Sequence, residues 1–237
     1  MAAAAATGMV VEVVVLRRLY ARDHLDQVLA TFGLILFFNQ GITMLFGRQP
    51  LMVQLPQGFA GAIEIMPGLP YPSFRLLIIA VGLLVALGLY WLIQHTRIGM
   101  LVRAGATHRE MVRALGVDIR ALYTVVFGLG ALLAGLAGVM AGPVSNVQVG
   151  MGEQILILTF VVVVIGGIGS VRGALFGALL VGVTQTLLSG FVPGWLRQMM
   201  AGSEADALGA ALSSMGVYVL MAGVLLVKPR GLFPAHA

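Results

Sequence analysis

Six apolar runs, each bounded by polar or glycine-rich breaks, constrain this chain more than any other feature: residues 25–47, 73–94, 121–141, 154–168, 173–191 and 208–227. A bilayer core of about 30 Å is crossed by about 20 helical residues. In hydrocarbon every backbone N–H and C=O must be paired, so isolated runs of this length become helices rather than open strands. The expectation is an all-α, polytopic integral membrane protein with about six full transmembrane helices. The 154–168 run is short, and is either tilted into its neighbours or only partly spanning. A seventh run, 2–16, is shorter and contains Glu12. Composition agrees, with 59% hydrophobic and 10% charged residues against about 25% charged in soluble domains.

The basic residues orient the chain. With Arg17, Arg18 and Arg22 inside and the six spans threaded alternately, eleven of the Lys and Arg residues fall inside and three (Arg48, Arg75 and Arg197) outside. A bias of that size follows the positive-inside rule and puts residues 96–120 and the C-terminus in the cytoplasm. The net charge of +5 is thus a topology signal, and no nucleic-acid partner is expected. Outside, the 48–72 segment with Pro50, Pro56, Pro67, Pro70 and Pro72 is expected to be an extended loop. Residues 191–207 are expected to form a second one.

Residues 96–120 form a charged island between two spanning runs. Within it Thr107 and Glu110 have the reciprocal capping-box spacing, and Gly116 is suited to a left-handed helix stop. The spacing predicts a helix of about two turns, too short to persist alone in water. Its apolar residues Met111, Val112 and Leu115 and its basic pair Arg109 and Arg113 fall at i, i+3 and i+4 intervals. A short amphipathic helix on the basic side of a membrane protein suggests a docking element for a soluble partner.

Other motifs carry less. The run Gly166-Gly-Ile-Gly-Ser-Val-Arg-Gly173 lacks the Gly-Lys-Ser/Thr ending of a phosphate loop. It reads as a tight turn whose glycines let helices approach closely, or as part of a path lined by Gly166, Gly167 and Gly169, and the two are compatible. Gly138-xxx-Gly142, Gly173-xxx-Gly177 and the Gly128, Gly130, Gly135 cluster permit close helix packing in lipid, within the protomer or between subunits. Asn39, Gln40 and Gln185 are interhelical hydrogen-bonding groups or, alternatively, path-lining ones. No carboxylate falls at the middle of the six full runs, whereas ion-coupled carriers usually need buried ionisable groups. Energy must then come from elsewhere, or transport is passive. The four histidines have no metal spacing and no triad partner, and with no cysteine a thiolate site is impossible. No enzyme, metal site or bound cofactor is expected in this chain.

Four stretches carry a resemblance: Asp23-His-Leu-Asp-Gln-Val-Leu-Ala-Thr-Phe-Gly-Leu-Ile-Leu36, Arg97-Ile-Gly-Met-Leu-Val-Arg-Ala104 leading into Glu110-Met-Val-Arg-Ala-Leu-Gly116, Gly166-Gly-Ile-Gly-Ser-Val-Arg-Gly-Ala174, and Pro229-Arg-Gly-Leu-Phe233. From Leu19 to Pro234 the chain resembles the integral membrane permease of branched-chain amino acid ABC transporters. Glu110 and Gly116 keep the Glu-x5-Gly spacing of the importer coupling loop, although Met111 and Val112 stand where many importers have alanines.

The resemblance implies one permease domain over 1–237 with a cytoplasmic coupling loop at 96–120. Thr107, Arg109, Glu110, Met111, Val112, Arg113, Leu115 and Gly116 would contact the ATPase. It also implies a second homologous permease subunit, two cytoplasmic ABC ATPase subunits that use ATP, and a periplasmic substrate-binding protein. The location would be the bacterial inner membrane. Such permeases normally carry further helices ahead of the position matched by Val11-Glu-Val-Val-Val-Leu-Arg-Arg18, so about 60 N-terminal residues are expected to be missing, judged from the resemblance. The substrate is expected to be a hydrophobic branched-chain amino acid. Urea or a short amide is the alternative, and a stand-alone channel or structural subunit is a third reading.

Overall fold

The computed structural model describes the chain except residues 21, 56–60, 67–68, 108, 199–201 and 234–237, and at 24, 62, 65–66, 69, 106–107 and 109–110 it describes the backbone alone. The chain opens with α1 (Ala2–Val11), a π-helical turn (Glu12–Leu16) and α2 (Arg17–Leu19), followed by α3 (His24–Phe46). A hairpin of β1 (Ala62–Met66) and β2 (Leu69–Pro72) leads into α4 (Ser73–His95), α5 (Arg97–Thr107) and α6 (Arg109–Ala114). Then come α7 (Ile119–Ser145), α8 (Met151–Gly166), α9 (Val171–Leu196) and α10 (Gly202–Val227).

The fold is all-α and polytopic. Five described helices (α3, α4, α7, α9 and α10) are long and apolar enough to cross a membrane, and α8, at 16 residues, is a shorter apolar helix. The six expected full spans are therefore five plus α8, whose run is cut by the turn beginning at Gly167. Among the described residues of 48–72, regular pairing replaces part of the expected extended loop. Its two strands pair antiparallel with Ile63 opposite Tyr71, and Leu51 forms an isolated bridge with Val147. Pro70 and Pro72 do not break the hairpin because it is only two-stranded, so both strands are edges that tolerate a missing donor.

The second expected loop, 191–207, is also shorter than anticipated. Helix α9 continues through Pro193 to Leu196, and α10 already begins at Gly202. Pro193 lies within van der Waals range of Gly209, where a side chain would collide with the ring at 2.8 Å. An apolar helix keeps such a proline because neighbouring groups compensate for the missing bond. Across the remaining gap Arg197 and Asp206 make a two-pronged contact, Nε to Oδ1 at 2.9 Å and Nη2 to Oδ2 at 3.1 Å.

Two compact units make up the chain, Met1–Met151 and Gly152–Ala237. In the first, the N-terminal helical stretch lies against α7 at a contact of small residues. A side chain on Gly128 would meet Met9 at 2.7 Å, and one on Gly135 would meet Ala4 at 2.7 Å. Small residues let helix backbones approach in lipid, where dispersion replaces the hydrophobic effect as the driving force. Helix α3 has no buried residue among those described. In the second unit Val161, Ile165, Val181 and Val217 form the core, with Leu158, Leu180, Leu220 and Leu232 packed around it.

The glycine turn joining α8 and α9 seats the tail segment 230–233 that follows α10. A Cβ on Gly166 or Gly173 would run into the other residue's backbone. Ser170 caps α9, its Oγ accepting from the Gly173 N–H at 3.0 Å. The last carbonyls of α8 have no partner inside that helix. They are met by the tail: the Leu232 N–H donates to the Ile165 carbonyl at 2.8 Å and the Phe233 N–H to that of Gly166 at 3.0 Å. Phe233 stacks on Phe176 with centroids 5.2 Å apart. The close-packing reading of this turn is borne out, with the tail as an additional partner.

Candidate functional site

The charged island folds into α5, α6 and the start of α7. Thr96 begins it: its Oγ1 accepts from the Gly99 N–H at 3.2 Å and donates to the Leu92 carbonyl at 2.5 Å. One side chain thereby joins the end of α4 to the start of α5, leaving little room for more than a glycine at 99. On α5 the residues Leu101, Val102 and Gly105 turn inward, and Arg97, Met100, Arg103 and Ala104 are exposed. The Arg103 guanidinium donates to the Ile93 carbonyl.

The helix expected from Thr107 starts differently. Thr107 is the last residue of α5, so its backbone is helical rather than extended as an N-cap requires. The helical signal upstream, from Arg97 onward, extends the first helix through it. The side chains of Thr107, Arg109 and Glu110, and with them the capping box, lie outside the described residues. The stop is as expected: Gly116 has φ +82°, and its N–H donates to the Arg113 carbonyl at 3.0 Å. A φ in that region is readily adopted by glycine alone.

Helix α6 divides its apolar residues between two directions. Val112 is 5% exposed and anchors the helix, whereas Met111 is 63% and Leu115 77% exposed. Arg113 is exposed beside them. After Gly116 the chain enters α7 through Asp118, whose Oδ1 caps it by accepting from the N–H groups of Arg120 at 2.9 Å and Ala121 at 3.3 Å.

Behind α6 opens a cleft of about 660 Å³ lined by Glu12, Arg17, Arg113, Asp118, Arg120 and Tyr123 among others. Its inner wall is a polar cluster that sequence reasoning set aside. Glu12 is completely buried. Its Oε2 accepts from the Thr124 hydroxyl at 2.5 Å and lies 3.5 Å from Arg17 Nη2. The same Nη2 donates to Thr124 Oγ1 at 2.9 Å. The π-turn makes this possible. Residues five apart lie about 140° apart around an α-helix but stack in a π-turn. Here the Arg17 N–H bonds the Glu12 carbonyl, bringing the two side chains to one side. The signal was present as a lone carboxylate five residues before an arginine in an apolar run, with a threonine far downstream as its partner.

The remaining expected residues are dispersed. Asn39 is half-buried and Gln40 exposed on α3, and Gln185 is exposed on α9. Gly166 and Gly167 are buried under α9 and the tail, while Gly169 is exposed with φ +84°.

Comparison with known proteins gives the family. A family model described as "Branched-chain amino acid transport system / permease component" matches residues 1–226. The high-affinity branched-chain amino acid transport system permease protein BraD of Pseudomonas aeruginosa is 28% identical over 96% of this chain and 70% of its own length. The corresponding LivH protein of Salmonella typhimurium is 26% identical over 97% of this chain and 70% of its own. The fructose import permease protein FrcC of Rhizobium meliloti is 33% identical over 50% of this chain and 35% of its own. No solved structure matches. With almost the whole chain covered by that family model, this protein belongs to the permease-component family of branched-chain amino acid transport systems.

Proposed function

We propose that this chain is the membrane permease subunit of an ATP-driven ABC importer of branched-chain amino acids, working with a second permease subunit, two cytoplasmic ATPases and a periplasmic binding protein. One observation carries the reading: α6 is fixed by buried Val112 while Met111, Leu115 and Arg113 face outward. A six-residue helix gains little by itself. Two exposed apolar side chains beside a cation form the kind of patch that a partner covers. In this reading α5 and α6 lie in the cytoplasm of an inner-membrane protein, as does the C-terminus. Thr107, Arg109 and Glu110 complete the contact with the ATPase, which alone uses ATP. Gly166, Gly167, Gly169, Asn39, Gln40 and Gln185 are the residues to examine as path-lining. The family and the relatives' names support the amino-acid substrate.

The test is uptake of labelled leucine into proteoliposomes holding the complete importer with ATP inside, with urea and fructose as competitors. Leucine accumulation that neither competitor reduces is expected. Leu115→Asp and Glu110→Arg are expected to abolish it while membrane insertion stays normal. Normal uptake with either change would remove the docking role, and competition by urea or fructose would replace the substrate.

A further inference from the structure

We propose that Arg17 and Thr124, closing on the buried Glu12 carboxylate, form a polar lock that makes the N-terminal helix and α7 move as one body, so that a push on α6 is transmitted to both. The proposal deepens the importer reading by naming positioning residues behind the docking helix.

Glu12 is fully buried, and its hydrogen-bond partner Thr124 lies 112 positions away on α7. An ionisable group in an apolar helix is retained when it performs a task, because burying it is costly. The glycine contacts at Gly8, Gly128 and Gly135 hold the two helices close and limit sliding by steric fit, and the polar cluster adds bonds that depend on direction. Sliding by one residue would break the Thr124 bond and leave the buried Glu12 carboxylate with Arg17, on its own helix, as its remaining partner. The π-turn reinforces this by directing Glu12 and Arg17 together at one point of α7. That point lies near the cytoplasmic end of α7 in the importer reading, less than two turns from the Asp118 cap that follows α6. Arg113 of α6 lines the same cleft as Glu12 and Arg17. Movement of α6 therefore reaches α7 at the place where the N-terminal helix is fastened.

The experiment compares uptake per ATP hydrolysed, in proteoliposomes holding the complete importer, for the parent, Thr124→Val, Thr124→Ser and Glu12→Gln. Thr124→Val keeps size but removes the hydroxyl, and Thr124→Ser restores it. The expected result is binding-protein-stimulated ATP hydrolysis near the parent rate with uptake per ATP lowered about fivefold or more in Thr124→Val and Glu12→Gln, the scale on which residues along a coupling route act. Thr124→Ser should return the ratio to that of the parent. An unchanged ratio in Thr124→Val overturns the lock. So does a parallel fall in uptake and hydrolysis, which marks a merely structural role. If Thr124→Val does not assemble, Glu12→Gln decides by the same ratio. Failure of the parent itself to take up leucine counts against the importer reading rather than the lock. In that event the lock is judged by a double-mutant cycle between Glu12→Gln and Thr124→Val on thermal stability, where additive effects overturn it.

Discussion

The two compact units solve the same problem, holding helices together in lipid, with different chemistry. In Gly152–Ala237 the helices meet through backbone: Gly166 against Gly173, Gly177 against the Val162 carbonyl, and the tail bonded to the end of α8. Around these contacts lies a core of valines and an isoleucine, and the buried Ser213 hydroxyl bonds to the Gly209 carbonyl of its own helix. In Met1–Met151 the N-terminal helix meets α7 through small residues as well, but there a buried carboxylate, Glu12, also bonds across to Thr124 on α7. Backbone contacts of the first kind tolerate almost no substitution, yet they have no directional side chains to lose. The second kind can be loosened by removing a single atom, which suits an interface that must transmit motion.

Substitutions can break or sharpen this contrast. The largest effect is expected from Gly173→Val, whose side chain has nowhere to go. It should cost more than about 3 kcal/mol, beyond the usual range for overpacking, and appear as loss of monodisperse protein in mild detergent. A thermal midpoint within about 2 °C of the parent would show that the second unit is not built on backbone contact.

Next comes an asymmetry within the lock. Arg17→Met strips a fully buried carboxylate of its cation and should cost about 3 kcal/mol. Glu12→Gln leaves behind a guanidinium whose side chain is 34% exposed, so about 1 kcal/mol is expected. Thermal unfolding of the two variants in one detergent gives the order, and the reverse order would mean that Arg17, not Glu12, is the group in need of a partner.

Smaller still is Gly116→Ala. Forcing an alanine to the left-handed φ of +82° should cost about 1–2 kcal/mol, felt mainly at α6. Uptake should fall with little change in the global midpoint. The smallest effect is expected for Phe233→Ala, which removes the stack on Phe176 at about 0.5–1 kcal/mol. It should raise hydrogen exchange at Leu232 without altering the first unit.

Much of the architecture is legible in the sequence because lipid permits few choices. The runs at 73–94 and 121–141 return as α4 and α7 with ends moved by a few residues, since apolar length alone decides that a span forms. Gly116 is legible because few residues other than glycine accept its φ. What escaped is what depends on distant partners. Pro193 looks like a loop residue until Gly209, on the next helix, gives its ring a place. The Ile165 and Gly166 carbonyls find amides from the far end of the chain. Glu12 reads as a blemish in a short apolar run because Thr124 is too remote for any local pattern to reveal. The helix at α6 was legible, but not that α5 already occupies Thr107, since capping rules do not say how far an upstream helix will extend.

The tail bonds have a bearing on biogenesis. The ribosome delivers the α8–α9 hairpin to the bilayer well before it adds the residues whose amides complete it. Until Leu232 and Phe233 emerge, two carbonyls at the hairpin's tip must be satisfied by water or by the insertion machinery. The second unit can therefore reach its finished form only after Leu232 and Phe233 have been made, and these two residues act as the last stitch in its assembly.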